Sequence, residues 1–441
     1  MSALSDRTFA IKVYGCQMNV YDGDRLRSAM TALGWRESND IENADCAIFI
    51  TCSIRDKAEQ KVVSELGRFR ATWEKDRRPH VALLGCMAQR TGETIAKKFP
   101  WVTVVGGPRH LGAIPAAICE SLEKNESILL LDEDPNALDD LSCAPTPRNN
   151  AHKAYVTIAH GCDQFCSYCI VPYVRGRFGS RKPDAIIGEI EALVHGGVLE
   201  VTLLGQNVNT YGKDIGCRFA GLLTAAASVV GLRRLRFVTS HPIDFTDDIL
   251  VTMTNHPNIC PGINLPVQAG SDKVLREMNR KYTRAEYLAT VTHIREALPG
   301  CGITTDLIVG FPGETEDEFE ESLSLLREVR FDLVHSAAYS PREGTPAAQR
   351  IDQVPGIVRA RRLNELNAVQ AGISSEINRA LIGKTFEVLL DEAAPKGEGL
   401  LQGRTATDKV VLVAAGPEKI GTFQDVRITN SSPWCLEGEI L

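Results

Sequence analysis

Residues 155–169 read YVTIAHGCDQFCSYC, a β-branched and aromatic run that passes through a glycine into three cysteines within eight residues. The run predicts a strand, so the cysteines fall in the loop at its C-terminal end. A CxxxCxxC pattern crowds three thiolates together, and soft sulfur ligands at this spacing suit an iron–sulfur cluster. Zinc would require a fourth ligand, usually from a second Cys or His pair, and none stands nearby in sequence. A cubane held by Cys162, Cys166 and Cys169 alone leaves one iron open to a small molecule. Three incidental buried thiols are the plainer alternative, and their clustering at ligand spacing argues against it.

Outward from this stretch, EVTLLG (200–205), RLRFVTS (234–240), GINLPVQ (262–268), GITTDLIVG (302–310) and DLVHSAAYS (332–340) read as further strands. Helical spacing fills the intervals, notably 183–195, 272–298 and 314–330. Six strand–helix units predict an open, partial (β/α) barrel with function at the strand C-termini. Upstream, FAIKVY (9–14), CAIFI (46–50), VALLG (81–85) and VTVVG (102–106) alternate with the helical stretches Tyr21–Leu33 and Asp56–Trp73. That alternation predicts a parallel α/β domain. Downstream, Lys384–Leu390, Leu400–Arg404, Val410–Ala414 and Asp425–Thr429 are short strands between glycine-containing turns, as in a small antiparallel β-barrel. The expected division is 7–123, a linker over 124–147, a core over 148–379 and the barrel over 380–441. Residues 132–152 are acidic, then rich in Pro and Asn, without periodicity.

A second set of cysteines is positional. Cys16, Cys52 and Cys86 each follow a predicted strand by one or two residues. In a parallel sheet such loops share one edge, where ligands bind, so three thiols far apart in sequence converge in space. Singly, each reads equally well as a small core residue. The other seven cysteines (Cys46, Cys119, Cys143, Cys217, Cys260, Cys301 and Cys435) read as core, surface or linker thiols.

Composition narrows the class. The chain has 441 residues, thirteen of them cysteine, and a net charge of −7. An odd, scattered cysteine count does not form a disulfide framework. No run of eighteen apolar residues exists, and MSALSDRTFAIKVYG lacks the basic and apolar regions of a signal peptide. A cytoplasmic protein without membrane contact is expected. The overall charge does not favour a polyanion, so nucleic acid would have to meet a local basic patch. Arg175, Arg177, Arg181 and Lys182 form such a run, with no acid between Asp163 and Asp184; a solvated face is the alternative. Arg55, Lys57, Lys61, Arg68 and Arg70 make a weaker one. Residues 379–441 carry seven basic and nine acidic side chains, so charge does not mark the barrel as RNA-binding.

The cysteine loop with Tyr168 before its last cysteine resembles the radical-SAM signature. Val171–Arg177, Ser180-Arg181, Leu204–Asn209, Ser240-His241-Pro242, Leu265–Ser271 and Asp306–Thr315 resemble the radical-SAM methylthiotransferase family. The likeness covers nearly the whole chain, with a terminal segment similar to a TRAM domain. Gly15–Asp22, Thr51–Ala58 and Gly85–Arg90 look like the MiaB-type tRNA methylthiotransferase branch rather than the ribosomal-protein or threonylcarbamoyl-adenosine branches. Gly23, Ile50, Val174, Phe178 and Asn264 depart from the family's usual Ser, Asn, Thr, Glu and His.

The resemblance implies radical methylthiolation at C2 of N6-isopentenyladenosine in a tRNA anticodon loop. It implies two [4Fe–4S] clusters, one on Cys162, Cys166 and Cys169 with S-adenosylmethionine, and one on Cys16, Cys52 and Cys86 carrying sulfur. Tyr168 is expected beside the cofactor adenine, and Gly205, Gln206, Gln268, Ala269, Gly270 and Ser271 against the cofactor, although glycines after strands also read as ordinary turns. An electron donor and a sulfur donor are required and are not named by the sequence. His160 and His241 carry no assigned role, and no catalytic residue is assigned beyond the cluster ligands. Methylthiolation of a ribosomal protein, and a non-enzymatic iron–sulfur sensor or RNA-binding module, are the competing readings.

Overall fold

The computed structural model describes residues 7–53, 56–70, 80–131 and 152–441. The helix end expected at Trp73, the acidic and Pro-rich stretch 132–151, Cys143 and Arg55 lie outside the described residues, as does the side chain of Lys57. The described chain divides into two compact units. One holds residues 7–131 with Ala159–Asp163 and Ile170–Gly179; the other holds 152–158, Gln164–Cys169 and Ser180–Leu441.

In the first unit, β1 (Thr8–Val13), β2 (Arg36–Glu37), β3 (Cys46–Thr51), β4 (His80–Gly85), β5 (Val102–Gly106) and β6 (Ile128–Leu130) form one sheet in the order β2-β1-β3-β4-β5-β6. Every pairing is parallel. Alternation along β3 explains why both faces are covered. Cys46, Ile48 and Ile50 pack with Phe9, Leu26 and Ile114 on one side; Ala47 and Phe49 pack with Val62, Leu66 and Leu83 on the other. A strand buried on both faces reads as a continuous apolar run. The edge strands β2 and β6 are additions to the predicted four; with two and three residues they carry no readable period.

The second unit begins with the six expected strands. Lys153–Thr157, Glu200–Leu204 and Arg234–Phe237 pair in parallel, as do Gly262–Asn264, Gly302–Val309 and Leu333–Ala338. A parallel bridge between Leu235 and Ile259 joins the two sheets, giving an open half-barrel. Helix Pro183–His195 falls where the spacing predicts it. Helix Glu316–Val329 starts at Thr315, whose capping box with Glu318 satisfies orphan N–H groups. The single helix predicted over 272–298 is in fact two, Asp272–Glu277 and Arg284–Ala297. Asn279 breaks it at a φ of 60°, and Thr283 caps the second piece with Glu286.

Five C-terminal strands, Thr385–Ala393, Leu400–Arg404, Val410–Ala414, Thr422–Ser431 and Leu436–Ile440, close into a barrel. The barrel is antiparallel, as expected, at four of its five seams; at the fifth, Val410–Ala414 and Leu436–Ile440 run parallel. The barrel is anchored to the half-barrel by charge buried at a strand. Arg234 donates to the carbonyls of Arg404 and Glu387 at 2.8 and 2.7 Å, and Arg236 to those of Ala406 and Thr405 at 2.9 and 2.7 Å. Glu200, 3.1 Å from Arg236, balances them. Among the described residues no helix is long and apolar enough to cross a membrane.

Candidate metal centres

The order β1-β3-β4 puts three adjacent strands in register, with Ile50 beside both Val13 and Leu84, and Thr51 beside Gly85. Cys16, Cys52 and Cys86 therefore leave the sheet at the same edge. Neighbouring strands lie about 4.8 Å apart, so loops leaving in register stay within reach of one group. Two glycines permit the approach. At Gly15 φ is +120°, and a Cβ there would overlap the Cys52 Cβ and lie 3.0 Å from its sulfur. At Gly85 φ is +94°, and a Cβ would lie 2.5 Å from the Thr51 carbonyl oxygen. Cys16 occupies the N-cap position of helix Gln17–Ala32 and Cys86 opens helix Cys86–Lys98. Helix N-termini present unpaired N–H groups and favour thiolates.

The thiols are not alike. A hydrogen bond from Cys52 brings the Cys16 thiol down to about 5; Arg175 and the N–H groups of Asn19 and Met18 add to it against the cost of burial. Burial raises the Cys86 thiol, with Arg175 opposing. Arg175 donates through Nε to the Cys86 sulfur at 3.3 Å and through Nη2 to Asn19 Oδ1 at 3.0 Å. Ser53, fully buried next to Cys52, has an Oγ without a hydrogen-bond partner. Among the described residues no three His, Cys, Asp or Glu side chains stand as a closed metal cage: Cys16 pairs with Cys52 and Cys86 with Arg175. Three thiols at one sheet edge, two at helix N-termini, beside a buried cation and an orphaned hydroxyl, nonetheless make a donor set that suits a thiolate-bound cluster.

The other loop is held by its backbone. Gly161 has a φ of +70°, and a Cβ there would meet the Gly176 carbonyl oxygen at 2.5 Å; the Cys162 N–H donates to that same oxygen at 3.1 Å. Phe165 takes a φ of 45°, and Asn279 Nδ2 holds its carbonyl at 3.0 Å. Ser167 is tied to the Met278 and Glu277 carbonyls at 3.0 and 2.7 Å. Arg280 donates to the Cys166 sulfur at 3.6 Å and to the Tyr282 hydroxyl at 2.8 Å. Burial, with Cys166 next, raises the Tyr168 phenol, so it stays protonated.

Unsatisfied polar atoms collect at the C-terminal ends of the half-barrel strands. Thr157 Oγ1, Asn207 Oδ1, Ser240 Oγ, His241 Nδ1 and Tyr339 OH are buried without partners. Buried polar groups in proteins are otherwise almost always paired. A polar ligand seated there would satisfy them. His241 is kept neutral, at about 3, by burial and then by Arg280, and its ring meets Tyr282 edge-on at 5.7 Å. Of the residues predicted for the cofactor, Gln268 sits at a φ of 76° with its N–H on the Asp306 carbonyl at 2.9 Å. Gly270 has a reason of its own: a Cβ would lie 2.5 Å from Ser322 Cα, so the glycine lets the turn pack on helix Glu316–Val329. Ser271 occupies the N-cap position of helix Asp272–Glu277 without a side-chain capping bond, and Gly205 and Gln206 follow strand Glu200–Leu204.

Residues 156–326 match the Radical SAM superfamily, residues 8–107 the uncharacterized protein family UPF0004, and residues 379–441 the TRAM domain. The tRNA-2-methylthio-N(6)-dimethylallyladenosine synthase of Clostridium botulinum (strain Langeland) is 43% identical over 435 residues, 98% of this chain and 96% of the relative. The chain belongs to the tRNA-2-methylthio-N(6)-dimethylallyladenosine synthase family. The synthase of Aquifex aeolicus is 40% identical over 99% of both chains. Among solved structures, the radical S-adenosylmethionine methyltransferase TsrM from Kitasatospora setae shares the fold, with a TM-score of 0.58 at 14% identity, covering 78% of this chain and 75% of that one.

Within this synthase family the departures have local explanations. A Cβ on Gly23 would lie 2.9 Å from Val13 and 3.4 Å from Ile50, so the bulkier Ile50 is matched by a smaller residue 23. Val174 packs on Cys86 with Ile170. Asn264 accepts from the Thr239 N–H at 3.2 Å and donates to Thr304 at 3.2 Å, tying strand ends together. The Phe178 backbone N–H donates to Asp163 at 3.1 Å.

The basic run requires a correction. Arg175 is not a phosphate contact: its side chain is 4% exposed and turned toward Cys86, Asn19 and Asp22. Arg181 is partly buried between Glu189, at 2.9 Å, and the Thr157 carbonyl, at 2.6 Å. Arg177, 61% exposed beside Asp163, and the exposed Lys182 remain at the surface. Arg68 pairs with Glu65 at 3.2 Å. Sequence reasoning assigned no role to Arg280, Arg109, Asn19 or Asp22; only Asn19 and Asp22 stand near a cysteine motif in the sequence.

Proposed function

We propose that the protein is a tRNA-2-methylthio-N6-isopentenyladenosine synthase, a radical-SAM methylthiotransferase acting at C2 of N6-isopentenyladenosine beside the anticodon. The likeness to named synthases over nearly the full chain carries this reading. Cys162, Cys166 and Cys169 would hold one [4Fe–4S] cluster with S-adenosylmethionine, and Cys16, Cys52 and Cys86 a second. When bound, these groups supply one-electron chemistry and a sulfur source for a C–H carbon that polar acid–base catalysis cannot activate.

The chain's own residues prepare the setting. Arg280 donates to the Cys166 sulfur and so helps fix where that sulfur stands. His241 stays neutral beside Arg280 and offers an unpaired Nδ1 to a polar ligand. Arg177 and Lys182 offer charge to phosphates, and a single-stranded loop is where RNA bases are available to be read. A scattered, odd-numbered set of thiols fits the cytoplasm, where thiols stay reduced. The test is mass spectrometry of bulk tRNA from a deletion strain. The methylthio-adenosine should disappear and return with the wild-type gene but not with Cys162→Ala. Unchanged methylthio-adenosine would exclude the assignment.

A further inference from the structure

Arg175 lies in the strap Ile170–Gly179 of the first unit. Its backbone is clamped: Arg109 donates through Nε and Nη2 to the Arg175 carbonyl at 3.0 and 2.9 Å, and the Arg109 guanidinium fills the space a side chain on Gly176 would need. The Arg175 guanidinium is thereby delivered to Cys86 and Asn19, with Asp22 at 3.5 Å. A guanidinium remains charged in a protein, and burying it is costly without close anionic partners. Asp22 stands beyond the 2.7–2.9 Å of a strong charge-assisted bond. The Cys86 sulfur accepts from Nε at 3.3 Å, while Nη2 serves Asn19 and Asp22. Thiolates carrying a cluster would add negative charge at closer range than Asp22 supplies it.

We propose that Arg175 is a positioning residue for a thiolate-bound iron–sulfur cluster on Cys16, Cys52 and Cys86, where its fixed positive charge raises the cluster's reduction potential and helps retain the metal. The proposal rests on the cluster assignment given above. Charge and hydrogen bonds to the sulfurs are the levers by which a protein sets such potentials. The strap that follows the first cysteine loop thus carries a charge into the second site. That is why a residue in a basic run is buried.

The test uses the full chain with Cys162, Cys166 and Cys169 replaced by alanine, so that one cluster remains. The protein is reconstituted anaerobically with iron and sulfide, assayed for iron, and titrated with dithionite under electron paramagnetic resonance. Arg175→Gln should shift the reduction equilibrium by about tenfold toward the oxidised cluster, a fall of 59 mV for a one-electron couple. Arg175→Lys, which keeps the charge, should recover most of the shift. Loss of iron in Arg175→Gln but not in Arg175→Lys would support the proposal equally. An unchanged potential in Arg175→Gln, or equal loss of iron in both variants, would overturn it. A parent protein that binds no cluster would overturn the underlying ligand assignment as well, and is told apart because it fails before Arg175 is changed.

Discussion

Gly15→Ala isolates the close approach on which the second site depends. The residue sits at a φ of +120°, and an added Cβ would overlap Cys52. Holding an L-residue at positive φ costs about 1–2 kcal/mol. Forcing a methyl into a packed contact costs about 1–3 kcal/mol more, for a total of about 2–5 kcal/mol. Gly216→Ala is the reference, because Gly216 has a φ of +73° and nothing within 4 Å of its added Cβ; it pays the backbone strain alone. In a unit of this size each kcal/mol moves the melting temperature by about 2–4 °C. Calorimetry of the metal-free protein should therefore show the Gly15 unit melting about 4–20 °C lower, against a few degrees for the second unit, which holds Gly216, in Gly216→Ala. After anaerobic reconstitution, Gly15→Ala should hold about half the wild-type iron, since displacement of Cys52 removes one of two cubanes. If Gly15→Ala melts no earlier than Gly216→Ala and keeps full iron, the convergence of these loops is not what the site requires.

Cysteine chemistry in the metal-free protein should be selective. Cys16, brought down to about 5, should reach its full alkylation rate by about pH 6, whereas Cys46, pushed up to about 12 by burial, should resist labelling until the fold opens; a Cys16 rate still climbing toward pH 9 would contradict this. The linkage has a definite sign. A lowered thiol pKa in the folded state contributes stability that is full above the unfolded thiol's value near 9 and is lost as pH falls toward 5. Urea midpoints of metal-free wild type relative to Cys16→Ala should thus narrow over that range on acidification. Arg181→Ala should lower stability by about 1–3 kcal/mol through its buried carbonyl and Glu189 contacts, while Arg177→Ala should leave stability within about 0.5 kcal/mol and weaken tRNA binding in a salt-dependent way. Thr315→Ala should cost about 1 kcal/mol by removing the capping box of helix Glu316–Val329.

Strand-terminal cysteines were legible because period and punctuation fix where a parallel strand ends. The register of β1, β3 and β4 then follows from burial on both faces. Other features depend on contacts no local pattern encodes. Arg175 and Arg177 stand two residues apart in one basic run, yet one is buried against Cys86 and the other faces solvent; charge alone does not reveal burial. The break at Asn279 within an apolar-periodic stretch arises because that residue turns to hold the Phe165 carbonyl. Leu436–Ile440 escaped notice because LEGEI has few apolar residues, and its parallel seam with Val410–Ala414 is a closure effect. Gly270 marks the reverse case: a glycine in a motif is explained by helix packing.

Counting iron and acid-labile sulfide in anaerobically prepared protein tests the central claim most directly. Two cubanes on separate cysteine trios require about eight of each per chain. Replacing Cys16, Cys52 and Cys86 together, or Cys162, Cys166 and Cys169 together, should leave about four in each case. A full complement surviving either triple replacement would show that those thiols hold no cluster.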